Sequence, residues 1–387
     1  MKTNSKLIVA ICIIAILAGW KFNDTNNTIK ESPKTTGETA HRWSIEKAND
    51  WQQKYDWLVG ANYIPSTAMN QLEMWQQASF DPKRIDQELQ WANEIGFNTM
   101  RVFLHNLAWE VDNTGFIERM ETFLQIADKH HIKIMFVLLD DVWNPNPKLG
   151  TQPSPTPHVH NAGWVQSPGK SILSNKSQWG RVKDYVQGVM SHFKDDKRVI
   201  IWDLYNEPGN PNQDSYGDIE VPNKDKHSLA LLKNVTQWAR EVNATQPLTI
   251  DIWRAIHTPI EKMNDIDQFA YNHSDIISFH CYAEAASTEK MVKELSKSGR
   301  PLLCTEYMAR PVGSTFEDIL PIFKKYHIAA YNWGFVSGKS QTIYPWRSWK
   351  KPLIKEPDLW FHDILKENGT PYKKEEVKFI KSLIQKN

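Results

Sequence analysis

Two glutamates in this 387-residue chain each follow a short apolar run. The first is Glu207, in the sequence Asn-Glu-Pro, and the second is Glu306, in the sequence Thr-Glu-Tyr. Because Pro208 cannot continue strand pairing, we expect Glu207 where a strand gives way to a loop. Two carboxyl groups on opposite sides of a glycosidic bond can protonate the leaving oxygen and attack the anomeric carbon. The pair therefore indicates glycoside hydrolysis, provided that the fold brings both side chains together.

The elements that must position these glutamates form one repeating pattern over residues 51–387, in which short apolar runs alternate with amphipathic segments. Eight runs have the composition of strands: Leu58–Ala61, Thr99–Leu104, Lys133–Leu139, Val199–Leu204, Leu248–Asp251, Ile276–Phe279, Pro301–Thr305 and Ile328–Trp333. Helical patterns lie between most of them: Pro82–Ile95, Ile117–His130, Ser177–Phe193, Lys226–Val242, Thr288–Ser298, Phe316–Tyr326 and Lys374–Gln385. The weakest unit lies between residues 251 and 276. This order predicts a single (β/α)8 TIM barrel.

Active sites of such barrels lie at the carboxyl ends of the strands. Glu207 then follows strand four and Glu306 ends strand seven, across the barrel from each other. Either glutamate alone is commonly a solvated loop residue or a salt-bridge partner, whereas the two together at these strand ends are far more specific. Further polar residues end the other strands: Asn62, Arg101, His105, Asp140, Asp141, Asn206, Asp251, His280, Tyr282 and Trp333.

With these motifs the chain resembles the (β/α)8 glycoside hydrolases of family 5, the cellulase and mannanase group, over nearly all of residues 51–387. That family has Asn-Glu after strand four, Arg at the end of strand two, His-x-Tyr after strand six and Trp after strand eight. The matching residues here are Asn206-Glu207, Arg101, His280-Cys281-Tyr282 and Trp333. The resemblance implies a retaining β-glycosidase with Glu207 as general acid/base and Glu306 as nucleophile.

The resemblance also implies roles for the supporting residues. Asn206 would hydrogen-bond the sugar 2-hydroxyl, and Trp333 would form the floor of the cleavage subsite. Arg101 would orient the nucleophile and, with a hydrogen bond from Tyr282, keep it ionised. His280 would line the same subsite.

One position departs from the family pattern. Many members carry a histidine after strand three, where this chain has Asp140 and Asp141. We expect one of these carboxylates to bind sugar hydroxyls instead, which leaves the identity of the sugar open.

Two long loops accompany the predicted site. Residues 144–176, after strand three, are rich in proline, and we expect them to form a lid that favours action at chain ends. His158 and His160 in this loop lack a convincing third ligand, so we expect loop histidines, with no metal site and no cofactor. After strand eight, Lys339 and Arg347 could recognise an acidic sugar, although a surface role is slightly favoured.

Alternative functions are an endo-acting xylanase, mannanase or glucanase, and a carbohydrate-binding barrel without catalysis. A metal-dependent hydrolase would be inhibited by a chelator, which we do not expect. The formal charge of +1 and the lack of a glycine-rich phosphate loop argue against nucleic-acid or nucleotide partners, so we expect an oligo- or polysaccharide as the partner.

The amino-terminal region predicts export to the periplasm, the cell surface or the medium. Residues 1–19 combine two early lysines with a short apolar run, as in a signal peptide or an uncleaved anchor that would tether the protein to the membrane. Residues 20–50 are polar and predict a flexible linker. Cys12 lies in the predicted signal segment. The other two cysteines, Cys281 and Cys304, fall in neighbouring strands, and we expect two buried thiols there in preference to a disulfide.

Overall fold

The computed structural model describes residues 42–385. The predicted signal segment and the linker up to residue 41 lie outside these residues. Among residues 42–385, no helix combines the length and apolar character needed to cross a bilayer.

Parallel strands form a ring that matches the predicted barrel. They are β1 (Val59–Tyr63), β2 (Thr99–Phe103), β3 (Lys133–Asp140), β4 (Val199–Asn206), β5 (Leu248–Thr249), β6 (Asp251–Ile252), β7 (Ile277–His280), β8 (Leu302–Tyr307) and β9 (Ala329–Asn332). Their order in the sheet is β5-β4-β3-β2-β1-β9-β8-β7-β6. The two terminal strands, β5 and β6, are separated in the chain by Ile250 alone, so together they supply the fifth strand and the ring closes. The predicted (β/α)8 fold is confirmed.

Helices surround the ring or cap its ends. They are α1 (Ile45–Gln52), α2 (Gln71–Trp75), α3 (Pro82–Ile95), α4 (Asn106–Val111), α5 (Asn113–Lys129), α6 (Lys170–Leu173), α7 (Trp179–Phe193), α8 (Lys224–Val242), α9 (Asp265–His273), α10 (Ala285–Leu295), α11 (Phe316–Lys325) and α12 (Lys374–Gln385). Helix α3 begins and ends as predicted, since the Asp81 carboxylate accepts from the Arg84 amide and Gly96 adopts φ of 101°. The segment between residues 251 and 276, where the predicted pattern is weakest, contains helix α9. The first backbone amides of α9 donate to the Asn264 side chain.

Residues 42–50, which the sequence analysis assigns to the linker, lie within the described domain. Ser44 caps helix α1, and the Arg42 guanidinium donates to the carbonyl oxygens of Tyr271 and Ser274. Ala48 and Trp51 are buried against residues at the amino ends of the strands. The prediction of a linker is therefore wrong for this part of the segment. Its composition is mostly polar, and only Ala48 and Trp51, about one helical turn apart, pack α1 against the barrel.

The strands are almost entirely buried, and their two faces contact the barrel interior and the helical layer. Strand β8 extends through Tyr307, so Glu306 belongs to the strand itself and its backbone is held by the sheet. Cys281 and Cys304 are buried free thiols, as predicted.

Candidate active site

The two glutamates meet at the carboxyl end of the ring. Glu306 lies in β8, and Glu207 follows the last residue of β4. Carboxylate oxygens of both residues and a ring nitrogen of His280 all lie within 4.8 Å of one another. Strands far apart in the chain therefore bring two carboxyl groups close enough to act on one bond.

Glu306 is held by three neighbours. The Tyr282 hydroxyl donates to Oε2 at 2.8 Å, Arg101 Nη1 donates to Oε1 at 3.3 Å, and His280 Nδ1 lies 3.6 Å from Oε2. Burial raises the pKa of Glu306 to about 7, against the opposing effects of His280, Arg101 and Tyr282, and the nearby Glu207 adds to the rise. Arg101 and Tyr282 both favour the ionised carboxylate, as expected, while burial opposes it.

Glu207 is held at both oxygens. His280 Nδ1 lies 2.8 Å from Oε1, and the Asn210 amide donates to Oε2 at 2.5 Å. The backbone of Glu207 has φ of 43°, a left-handed conformation that costs a non-glycine residue about 1–3 kcal/mol. These contacts hold the side chain at the mouth of the barrel. The sequence analysis missed Asn210, although the intervening Pro-Gly predicts a turn that returns it toward Glu207.

His280 lies between the two glutamates, where the sequence analysis expected only a lining residue. Its Nε2 lies 3.5 Å from Asp251 Oδ2, on the side of the ring away from the glutamates. Burial opposes the charged imidazole, but Glu306 and Asp251 raise the pKa of His280 well above its usual value. These two neighbouring carboxyl groups therefore favour the protonated form of the ring.

Arg101 lies buried beneath the glutamates and joins the strand ends. Its Nη1 donates to Asn62 Oδ1 at 2.8 Å, and its Nη2 donates to Asn206 Oδ1 at 2.8 Å. Nη2 also contacts Asp203 and Asp251, at 2.7 Å and 2.5 Å. One guanidinium thus fixes the position of Glu306 and of Asn206, the residue just before Glu207.

The pKa values of the two carboxyl groups beneath Arg101 shift in opposite directions. Burial and the adjacent Asp251 raise the pKa of Asp203 well above its usual value. The pKa of Asp251 is lowered despite its burial, because Arg101 and His280 both stabilise the anion. Asp251 was predicted as a strand-end residue, whereas Asp203 was missed. Asp203 could have been found because it is an acidic residue within the otherwise apolar run of β4. A buried carboxyl group needs a charged or hydrogen-bonding partner, and an arginine from another strand can supply it.

Asp140 and Asp141 do not contact the cleft, which corrects the expectation that they bind sugar. Both are buried. Asp140 accepts from side chains or amides of Gln71, Val142, Trp164 and Asn206. Asp141 accepts from Tyr205, Gly209 and Ser228. Both carboxyl groups connect loops to the barrel. Because they accept hydrogen bonds from groups of the protein itself, they do not face a bound sugar.

We expect Asp141→Ala to lower the free energy of unfolding by about 3 kcal/mol, because three buried donors lose their partner. Denaturant unfolding followed by fluorescence measures the change, with Asp218→Ala, at an exposed position in the loop after β4, as the control. A stable Asp141→Ala protein whose KM alone rises would instead show that Asp141 binds substrate.

Above the glutamates lies a cleft of about 390 Å³. Its aromatic lining comprises Trp143, Trp164, Trp253, Tyr282, Trp333, Trp346 and Trp349. Polar groups come from Asn206, Asn210 and the β4 loop (residues 207–223), and the lining includes no lysine or arginine. Indole rings present flat apolar faces of the kind that stack on sugar rings. The cleft therefore suits a neutral saccharide.

Lys339 and Arg347 do not line this cleft. The Lys339 ammonium pairs with Glu73 at 2.6 Å, and Arg347 lines a separate surface groove. Of the two roles considered for them, the surface role agrees with the structure.

The β3 loop (residues 141–169) is fixed against the β9 loop (residues 333–350). The Asn161 amide donates to the Ser340 carbonyl at 3.0 Å, and the Gln341 side chain donates to the carbonyl of Val159. His160 is buried, with Nδ1 2.9 Å from the Tyr344 carbonyl oxygen. The predicted lid is thus a wall built from two interlocked loops, in which His160 is buried beside the cleft and His158 is partly buried.

Within the described part of the chain, one group of side chains has the spacing of metal ligands: Glu207, His280 and Glu306. A metal needs a neutral imidazole with a free lone pair and deprotonated carboxylates. Here His280 Nδ1 lies 2.8 Å from Glu207 Oε1, and Glu306 and Asp251 favour the protonated form of the imidazole. The arrangement therefore fits acid–base chemistry better than metal binding.

Comparisons with known proteins show the family of the chain. The family model "Cellulase (glycosyl hydrolase family 5)" matches residues 64–337, more than half of the chain. A comparison with curated proteins finds no significant match.

Similar solved structures share the fold at low sequence identity. The GH5_18 protein from Streptomyces cattleya, in complex with GlcNAc, is 12% identical with a TM-score of 0.56, covering 85% of this chain and 79% of that chain. The exo-beta-1,4-mannosidase Op5Man5 from Opitutaceae bacterium strain TAV5 is 17% identical with a TM-score of 0.53, covering 85% and 60%. The endo-beta-1,4-mannanase from Thermotoga petrophila is 13% identical with a TM-score of 0.54, covering 87% and 77%. From the match of the family model, we conclude that the chain belongs to glycosyl hydrolase family 5 and is a glycosidase.

Proposed function

We propose that the protein hydrolyses β-glycosidic bonds of a neutral oligo- or polysaccharide with retention of anomeric configuration. The observation that supports retention is the spacing of Glu207 and Glu306, whose oxygens come within 4.8 Å. Retaining enzymes hold their carboxyl groups about 5–5.5 Å apart, whereas inverting enzymes leave about 6.5–9.5 Å for a water molecule. The short distance between the nearest oxygens of Glu207 and Glu306 supports the retaining arrangement.

In the first step, ionised Glu306 attacks the anomeric carbon while protonated Glu207 transfers its proton to the departing oxygen. A covalent glycosyl-enzyme forms as the glycosidic bond breaks. In the second step, Glu207 accepts a proton from water, which attacks the same carbon and releases Glu306. Arg101 and Tyr282 position the nucleophile, and Asn210 and His280 position the acid.

The sugar would lie between Glu207 and Glu306, over Trp333. Asn206 lines the cleft and gives one amide hydrogen to Asp140, so its second hydrogen remains for a sugar hydroxyl. A carbohydrate-binding barrel without catalysis would not require a buried arginine, a tyrosine and a histidine arranged around the paired carboxyl groups. We therefore favour the enzyme.

Proton NMR of the first-formed product tests the mechanism. With an aryl β-glycoside as substrate, retention produces the β-anomer before mutarotation, and addition of EDTA leaves the rate unchanged. Early appearance of the α-anomer would exclude double displacement. We would begin with β-mannosides and β-glucosides, the sugars named for family 5 enzymes of this fold.

The pKa of Glu306 sets the pH dependence. Because the nucleophile must be ionised, kcat/KM should fall as pH decreases through about 7, the pKa of Glu306 in the free enzyme. Tyr282→Phe removes a hydrogen bond that lowers this pKa, so it should move the acid limb to higher pH. A pH profile of kcat/KM for both proteins measures the shift. An acid limb that stays in place would show that another group controls it.

We also propose that the protein is exported. The support is the charged and apolar pattern of residues 1–19. Fractionation of expressing cells, with and without residues 1–19, tests the proposal, which fails if the full chain stays in the cytoplasm.

A further inference from the structure

A short helix in the β9 loop, Trp346–Trp349, extends over the cleft and meets loops from other parts of the ring. Trp346 lies edge-on to Tyr282, which follows β7, with ring centroids 4.9 Å apart. Trp349 stacks on Trp143 of the β3 loop at 5.2 Å and 16°. It also meets Tyr216 of the β4 loop edge-on at 5.1 Å. One helical turn therefore joins loops from three other strands.

An ion pair lies beside these aromatic contacts. Lys350 Nζ lies 2.7 Å from Asp214 of the β4 loop, and both side chains are largely exposed. An exposed pair of this kind contributes little stability alone. Its position nevertheless shows that the β9 and β4 loops, which follow strands on opposite sides of the ring, meet across the barrel mouth. We call the three aromatic residues Trp143, Tyr216 and Trp349 the aromatic bridge.

Trp143 is held in an unfavourable backbone conformation at this bridge. Its φ is 70°, in the left-handed region that costs a bulky residue about 1–3 kcal/mol. The Asn212 side chain accepts from its amide at 2.8 Å, and the Gln166 side chain donates to its carbonyl. Strain that the surrounding structure maintains in this way is typical of functional sites.

The bridge changes the shape of the substrate site. A polysaccharide bound through an internal segment needs a groove that is open at both ends. Here Trp143, Asp214 and Trp349 all line the cleft, and the contacts of Trp349 with Trp143 and Tyr216 span it from the β9 loop to the β3 and β4 loops. Trp253 and Ile256 also line the cleft, and Trp253 Nε1 donates to the carbonyl oxygen of Pro208, next to the proposed proton donor Glu207.

We propose that the aromatic bridge makes this site a blind pocket, so that the enzyme removes sugars from the non-reducing end of β-linked chains and Trp349 determines this specificity. The proposal rests on the glycosidase function given above. It predicts that a substrate with a free terminal sugar is accepted and that one with a blocked terminus is rejected, whatever its length.

The test compares two tetrasaccharides that differ only in a 4,6-O-benzylidene group on the non-reducing terminal sugar. An aryl β-glycoside of the same sugar reports catalysis itself. For the wild-type protein, we expect monosaccharide as the first product from the free tetrasaccharide and a rate at least about 100-fold lower on the blocked one. Similar rates on both, with activity on the aryl glycoside, would overturn the blind pocket but leave the proposed function standing. If none of the three substrates is hydrolysed, both the blind pocket and the proposed glycosidase function are overturned.

Variants then locate the specificity. Trp349→Ala should raise the ratio of blocked to free tetrasaccharide cleavage by at least about tenfold, since it removes both stacking contacts and opens the wall. Lys350→Ala, which removes only the exposed ion pair, is the matched control and should leave that ratio unchanged. A folded Trp349→Ala protein, judged by circular dichroism, with the wild-type ratio would show that Trp349 does not determine the specificity.

Discussion

Replacement of Glu306 with alanine should lower kcat/KM on every glycoside by about 10⁴-fold or more, because no other group can form the covalent intermediate. The loss should be equally large for good and poor leaving groups, since attack on the anomeric carbon is abolished in both cases. Initial rates on a dinitrophenyl β-glycoside and on a natural oligosaccharide measure it.

A small external anion provides the decisive control for this variant. Azide can occupy the space vacated by the carboxylate and attack from the same face, so Glu306→Ala should form the α-glycosyl azide from an activated β-glycoside. Tyr282→Phe, which keeps the nucleophile, should lose much less activity and form no azide adduct. Normal hydrolysis by Glu306→Ala would rule out this nucleophile.

Glu207→Gln should lower kcat/KM about 10²–10⁴-fold on oligosaccharides, whose departing oxygen needs a proton. Dinitrophenyl glycosides leave without protonation, so the first step should remain fast while hydrolysis of the intermediate slows. We therefore expect a burst of dinitrophenol followed by a slow steady state.

The position of Glu207 offers a second diagnostic result. Azide should accelerate the steady state of a Glu207→Ala variant and form the β-glycosyl azide, the anomer opposite to the one expected from Glu306→Ala. Asn210→Ala keeps the carboxyl group and removes only its amide partner, so its loss of kcat/KM should be smaller. Equal losses on both substrate classes would argue against a proton-donor role for Glu207.

The barrel was predictable because its strands are buried, apolar and separated by well-capped helices. Helix α3 shows the strongest signals, with Asp81 before it and Gly96 after it. The convergence of Glu207 and Glu306 followed from their strand positions. Helix α1 was missed because Ala48 and Trp51 are too few apolar positions in a polar segment to mark a docked helix.

Contacts made through folding were harder to foresee. Asp140 and Asp141 had the expected residue type at the expected strand end, yet both point to partners inside the protein. Burial and distance decide the pKa of Glu306, and neither is visible in a linear sequence. The aromatic bridge likewise joins loops more than a hundred residues apart in the chain, so local patterns hold no sign of it.

The position of His280 has a consequence for how charge moves during turnover. Its Nδ1 lies 2.8 Å from Glu207 and 3.6 Å from Glu306. In the proposed cycle the anion is Glu306 before the glycosyl ester forms and Glu207 afterwards. One of the two glutamates beside Nδ1 is therefore anionic in each half of the cycle, in addition to Asp251 beside Nε2, and the negative charge passes from one glutamate to the other. Since the total charge around it stays constant, the site needs no compensating ion and little rearrangement of dipoles between the two half-reactions.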